Sequence, residues 1–145
     1  ETRLLILGEG ELRAEFEALV ADLSLKDVVD LSGFDSNPYA YFKYASLFVL
    51  SSNWEGLPGV LIQALASKVK VVSTNCPSGP MEILENSKFG LLVECNDQAG
   101  LTQAMRQAIF ADYVQYQEAD FEAHIQQFHK QTVLKQYLRM MESAS

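Results

Sequence analysis

The sequence predicts an α/β fold, a doubly wound parallel sheet, on three observations. Apolar periodicity switches repeatedly between short continuous runs and stretches of helical spacing. The short runs are apolar throughout instead of alternating, which is the pattern of strands buried on both faces. Helical stretches separate these runs, as the crossover connections of a parallel sheet require.

Taken in order, Arg3 to Leu7 (RLLIL) is a first strand ended by Gly8, and Glu11 to Leu23 carries Leu12, Phe16, Leu19, Val20 and Leu23 at helical spacing. Val28 to Leu31 is a second strand closed by Gly33, Pro38 to Tyr44 a short aromatic helix, and Leu47 to Leu50 a third strand. Pro58 to Ser67 is an apolar helix, Lys70 to Ser73 a fourth strand, Pro80 to Glu85 a short helix and Gly90 to Val93 a fifth strand; from Asp97 onward the chain is helical with polar breaks. In the aromatic segment, Tyr39/Phe42 and Tyr41/Tyr44 have the spacing of packing contacts on one helix face. No repeat, linker or low-complexity stretch intervenes, so residues 1–145 read as a single domain.

Composition narrows the function. The chain has 145 residues, 48% of them hydrophobic, and no apolar run near the roughly 18 residues that span a bilayer. The balance of 11 Lys and Arg against 19 Asp and Glu gives a net charge of −8, which disfavours nucleic acid as a partner. Cys76 and Cys95 lack CxxC or His spacing and read as reduced thiols of a cytoplasmic protein, without a metal site. His124 and His129 lie on a polar C-terminal helix with no partner at catalytic or metal spacing, and read as solvated surface residues. The chain begins at Glu1, two residues before a strand, and reads as a piece of something longer.

Ligands of an open α/β sheet bind at the carboxyl ends of its strands, where loops enter helix N-termini. Gly8-Glu9-Gly10-Glu11 sits at such a place, but a dinucleotide fingerprint would need its third glycine at Arg13, so a tight turn with positive φ at Gly8 or Gly10 is the favoured reading. The richer stretch is Trp54-Glu55-Gly56-Leu57-Pro58-Gly59. Pro58 suits the first helical turn, and the free N–H groups around Leu57, Gly59 and Val60, unobstructed at Gly56 and Gly59, form an anion site reinforced by the helix dipole. A carboxylate beside that site has two readings: Glu55 caps the helix, or it faces sugar hydroxyls, for which it is a strong acceptor. Gln63, the polar residue of an apolar helix, is either a satisfied core amide or one that reaches hydroxyls in the same crevice. In SGPMEIL, Pro80 takes the first helical position after Gly79, and Glu82 falls where it can receive free N–H groups.

The run SSxxEGxPxVLxxALA from Ser51, the VVST after it, CPSGPxEIL at 76–84 and GLLV at 90–93 resemble the donor-binding half of GT-B retaining glycosyltransferases of family 4. The similarity runs from LILGEGELR to about Val93 and is specific, because several motifs occur in the family's order. It implies the Rossmann-like C-terminal half of a GT-B fold, with a Glu, seven residues and a second Glu marking a nucleotide-sugar site. Glu55 matches the first and would contact donor sugar hydroxyls; Gln63 matches the second, which holds the ribose. The resemblance further implies Gly56, Leu57, Pro58, Gly59 and Val60 against the diphosphate, Gly33 and Phe34 against the base, and Ser78 and Gly79 toward the sugar.

The activity implied by the resemblance is that of an enzyme of polysaccharide biosynthesis, transferring a hexosyl unit from a nucleotide sugar, a UDP-sugar, to a glycan or lipid-linked acceptor with retention. Such an enzyme would need no metal, lack a transmembrane segment and lie in the cytoplasm or at the inner face of the membrane. The acceptor domain and the family's Arg and Lys pair would lie upstream, since Arg3 and Arg13 do not match that pair, so the isolated fragment is expected to bind donor weakly and not to turn over. Two departures stand out: Gln63 replaces a Glu, and Lys68 and Lys70 stand where the family has Gly and Pro. They leave two alternatives open, a non-catalytic nucleotide-sugar-binding or interaction module and a GT-B nucleotide-sugar epimerase.

Overall fold

The computed structural model describes residues 2–111 and 116–143. The parts of the expected C-terminal helical stretch at 112–115 and 144–145 lie outside the described residues. The chain forms two compact units, Glu1–Pro38 and Tyr39–Ser145.

The first unit holds β1 (Leu4–Leu7), α1 (Arg13–Asp22) and β2 (Val29–Gly33), with β1 and β2 parallel from Leu4 opposite Val29 to Leu7 opposite Gly33. The register slips between Ile6 and Leu7, and the chain reverses after β1 through Gly8 at φ 139, whose N–H donates to Gly33 O at 2.7 Å. The expected tight turn is therefore at Gly8. Arg13 occupies the third fingerprint position with a guanidinium that donates to Leu31 O (2.8 Å) and pairs with Glu9 and Glu17. Its pKa is raised, first by the Glu9 charge and then by the Glu17 hydrogen bond. The apolar run that predicted a strand covered on both faces stays partly exposed, with Leu4 44% and Ile6 39% accessible, and no α1 residue is buried. Two strands and one helix offer too little surface to cover these side chains. Gly33 closes β2 at φ 79, and Phe34 beyond it is exposed.

The second unit holds β3 (Phe48–Leu50), β4 (Val71–Thr74) and β5 (Leu91–Val93), parallel and ordered β3-β4-β5. Its helices are α2 (Tyr39–Phe42), α3 (Gly59–Ala66), α4 (Pro80–Ile83), α5 (Gln98–Phe110), α6 (Glu118–Gln126) and α7 (Lys130–Ser143). Of those whose bounds the sequence predicts, α2 and α3 are shorter at both ends than expected and α4 at its C-terminal end, where assignments of helix ends vary by a residue or two. Every residue of the central strand β4 is buried, and the pleat sends Val71 to one core and Val72 to the other. Val71 packs with Leu61, Ala64 and Leu65 of α3, Ile83 of α4, and Phe89 and Phe121; Val72 packs with Ala104 and Ala108 of α5. Burying Leu61 and Leu65 fixes α3 against the sheet, each contributing about 1.5–3 kcal/mol. The Tyr39–Phe42 and Phe42–Phe48 pairs are edge-on at 6.1 and 5.6 Å, so the expected packing is made at Phe42, while Tyr44 is 80% exposed.

Helix ends decide the details. α3 closes in a Schellman motif, with Lys68 N–H on Leu65 O (2.7 Å) and Val69 N–H on Ala64 O (3.2 Å). Lys68 sits there at φ 58, the left-handed conformation that glycine adopts without strain, while its ammonium pairs with Glu118 and Glu122 of α6. Those hydrogen bonds, Glu118 first, raise its pKa. Lys70 Nζ donates to Ala108 O at 2.9 Å, tying the start of β4 to α5. Asp97 caps α5, its Oδ1 accepting from Gly100 N–H at 2.8 Å.

One expectation is overturned here. His124 is not a solvated surface residue: its side chain is 8% exposed, stacked on Phe89 with centroids 4.4 Å apart. The ring donates from Nε2–H to Ile83 O (2.7 Å) and accepts at Nδ1 from the Gln127 amide N–H (2.7 Å), the pattern of the Nε2–H tautomer. The polar surroundings in sequence conceal this because the covering rings, Phe89 and Phe128, come from other turns of the chain. His129 is exposed, as expected.

Candidate functional site

The site begins where β3 and β4 end. After Leu50 the chain runs through Ser51–Leu57 without regular structure and enters α3 at Pro58. Pro58 is the N-cap, at φ −68 and ψ 99, and not the first helical residue that the proline rule suggests; helix dihedrals start at Gly59. The first intrahelical bond runs from Leu61 N–H to Pro58 O (3.0 Å), so the N–H groups of Gly59 and Val60 precede it and lie at the positive end of the helix dipole. Gly59 has open space where a Cβ would stand, so that approach is unobstructed.

Glu55 does not cap this helix. No side chain caps α3 among the described residues, and the Glu55 carboxylate instead accepts a hydrogen bond from Ser52 Oγ at 2.7 Å. Half-buried, with one of its oxygens engaged by a neutral hydroxyl, it keeps acceptor capacity for other donors. Gln63, one turn inside α3, is also only half-buried, while Leu61, Ala64 and Leu65 face the core.

The loop after β4 meets the same place from the other side. Ser78 at φ 66 and Gly79 at φ 83, ψ −68 turn the chain sharply into α4, where Pro80 is the first helical residue. Glu82 lies in that first turn and is exposed. A Cβ on Gly79 would stand 2.4 Å from Gly56 O and 2.5 Å from Pro58 Cδ. Thus two stretches more than twenty residues apart, singled out separately by their motifs, share one wall: the Gly79 backbone lies directly on the Gly56–Pro58 loop. Gly33 and Phe34 belong to the first unit and are described there.

Beneath the loop, Thr74 at the end of β4 donates its hydroxyl to Ser52 O and lies 3.3 Å from Leu50 O, and Cys95 Sγ approaches Ser52 O at 3.9 Å. Cys76 is buried; that burial, then the neighbouring Cys95 and Glu55, push its thiol pKa up, so it is neutral at physiological pH. Both cysteines are free, and among the described residues no group of three or more His, Cys, Asp or Glu side chains could hold a metal. The sequence reading missed Ser52 and Thr74. The signal was present: a hydroxyl three residues before Glu55, and a threonine closing a fully buried strand.

The family described as glycosyl transferases group 1 matches residues 1–137. An N-acetylgalactosaminyltransferase of Campylobacter jejuni, acting on a diphospho-undecaprenol-linked saccharide by its name, is 41% identical over 106 residues, 73% of this chain and 29% of its own length. Among solved structures, the apo form of the lipopolysaccharide outer core galactosyltransferase WaaB superposes with a TM-score of 0.83 at 22% identity, covering 99% of this chain and 41% of that one. A point mutant of S. aureus TarM, in complex with fondaparinux, α-GlcNAc-glycerol and UDP, gives a TM-score of 0.83 at 24% identity, covering 94% and 28%. The chain therefore spans well under half the length of the proteins it matches. No helix among the described residues is long and apolar enough to cross a membrane.

Proposed function

The chain belongs to the glycosyl transferases group 1 family, and from that premise we propose that it is the donor-binding domain of a retaining glycosyltransferase that moves a hexosyl unit from a UDP-sugar to a glycan or lipid-linked acceptor. The observation that carries the reading is the meeting of the two loops: Gly79 packs on Gly56 and Pro58, around a helix N-terminus whose neighbouring carboxylate is not spent on capping. The amides of Leu57, Gly59 and Val60 receive the diphosphate, Glu55 accepts from sugar hydroxyls, Gln63 meets the ribose, and Ser78 and Gly79 line the sugar side. Support for UDP comes from TarM, whose complex contains it, and support for a lipid-linked acceptor from the name of the Campylobacter transferase. Peripheral association with the cytoplasmic face of a membrane belongs to the same proposal.

The chemistry asked of this half is positioning and charge stabilisation. As the glycosidic bond to the diphosphate breaks, negative charge grows on the leaving group, where the α3 amides and dipole meet it, and positive charge grows on the sugar ring, where Glu55 lies. The acceptor and the cations that complete neutralisation of the diphosphate come from outside this chain in the proposal, as the relatives' greater length allows. Glu55→Gln in the intact protein tests it. Turnover should fall on the order of a hundredfold with an unchanged melting temperature, because the carboxylate contacts ligand and not the helix. An active but destabilised variant refutes the assignment.

A further inference from the structure

We propose that Ser52 is a positioning residue for Glu55, braced from behind by Thr74; the inference rests on the reading of Glu55 as the donor-sugar contact. Ser52 Oγ donates to Glu55 Oε1 at 2.7 Å, and the Ser52 carbonyl accepts the Thr74 hydroxyl. Thr74 is itself buried, at 4% exposure, in the strand that forms the centre of the sheet, and lies 3.3 Å from Leu50 O at the end of β3. A chain of hydrogen bonds thus runs from the fully buried central strand of the unit, through Ser52, to a carboxylate in a segment without regular structure.

That segment has its far end fixed by the packing of Gly79 on Gly56 and Pro58, and its near end by Thr74 on Ser52. Between those points, the Ser52 hydroxyl is the group that selects one rotamer of Glu55. It engages one oxygen and so turns the remaining lone pairs toward a ligand. Without it the three side-chain torsions of Glu55 are free, and the carboxylate must be ordered anew in each transition state. The same bond could merely stabilise the turn, and that alternative moves melting temperature instead of turnover.

The experiment measures UDP release by the intact protein from UDP-N-acetylglucosamine, UDP-N-acetylgalactosamine, UDP-glucose and UDP-galactose, using the best of these donors for all variants. Ser52→Ala should lower kcat about tenfold with donor KM changed by less than about twofold. Ser52→Thr, which keeps the hydroxyl, should restore most of the loss. Thr74→Val, nearly isosteric, should lower kcat in the same direction by about threefold. In the Glu55→Gln background, Ser52→Ala should cost nothing further, since the two act as one unit. Additive losses overturn the proposal, as does a loss in Ser52→Ala that tracks its melting temperature and is not recovered by Ser52→Thr. Failure of the underlying assignment is seen separately: Glu55→Gln alone would then turn over as the parent does, before any Ser52 variant is made.

Discussion

Gly79→Ala is the sharpest test of the two-loop site. The residue lies at φ 83, ψ −68, the strained γ-turn region with positive φ, where an L side chain costs about 1–3 kcal/mol. The added methyl would also stand 2.4 Å from Gly56 O and 2.5 Å from Pro58 Cδ. Ordinary contacts are about 1 Å longer, and neither neighbour is a free side-chain end that can swing away: one is backbone, the other a ring closed on the helix N-cap. Overpacking of this kind costs about 1–3 kcal/mol more. A total near 3 kcal/mol lowers Tm by roughly 10 °C in a chain of this size. Relief can come only by moving the Gly56–Pro58 loop, so UDP affinity should fall along with stability, and turnover of the intact protein by about a hundredfold, as for a displacement of about 1 Å. Differential scanning calorimetry of Gly79→Ala and titration with UDP measure both. A Tm within about 2 °C of the parent would refute the packing argument, and full UDP affinity in a destabilised variant would refute the link between this contact and the site.

Gln63→Leu should raise donor KM while leaving Tm nearly unchanged, because the side chain is only partly buried; Gln63→Glu should keep or improve donor binding, by about 1 kcal/mol. Steady-state kinetics of the intact protein read both. His124→Leu strips the buried Ile83 carbonyl of its partner and should destabilise by about 1–3 kcal/mol in urea unfolding, with His124→Gln recovering part of it. The Cys76 thiol is raised above its ordinary value by burial. A group raised in the fold contributes stability that is complete below its unfolded pKa and lost as pH rises past it, so stability should decline above about pH 8.5. That decline should flatten in Cys76→Ala, and a parallel decline in both proteins would refute its origin in this thiol.

The sequence by itself determined the succession of strands and helices, the parallel α/β class and the positions where functional loops had to fall. These come from period and from turn chemistry, which are properties of neighbouring residues: RLLIL before Gly8, the β-branched pair Val71-Val72 of β4, Pro80 after Gly79. The tertiary structure decided what depended on contacts far apart in the chain. That β4 is central, that Gly79 lies against Gly56 and Pro58, and that His124 sits on Phe89 and Ile83 O, 41 residues away, are consequences of how the second unit closes, and no local pattern encodes them. The choice between cap and free acceptor at Glu55 was equally non-local. Its spacing from the helix allowed both, and the choice depended on where Ser52 points its hydroxyl, held by a threonine from the neighbouring strand. In the first unit the converse holds: the stripe Leu12, Phe16, Leu19 and Leu23 announced a buried helix face, yet these side chains stay exposed, because periodicity records what a helix is built to cover and not whether enough partner surface is present to cover it.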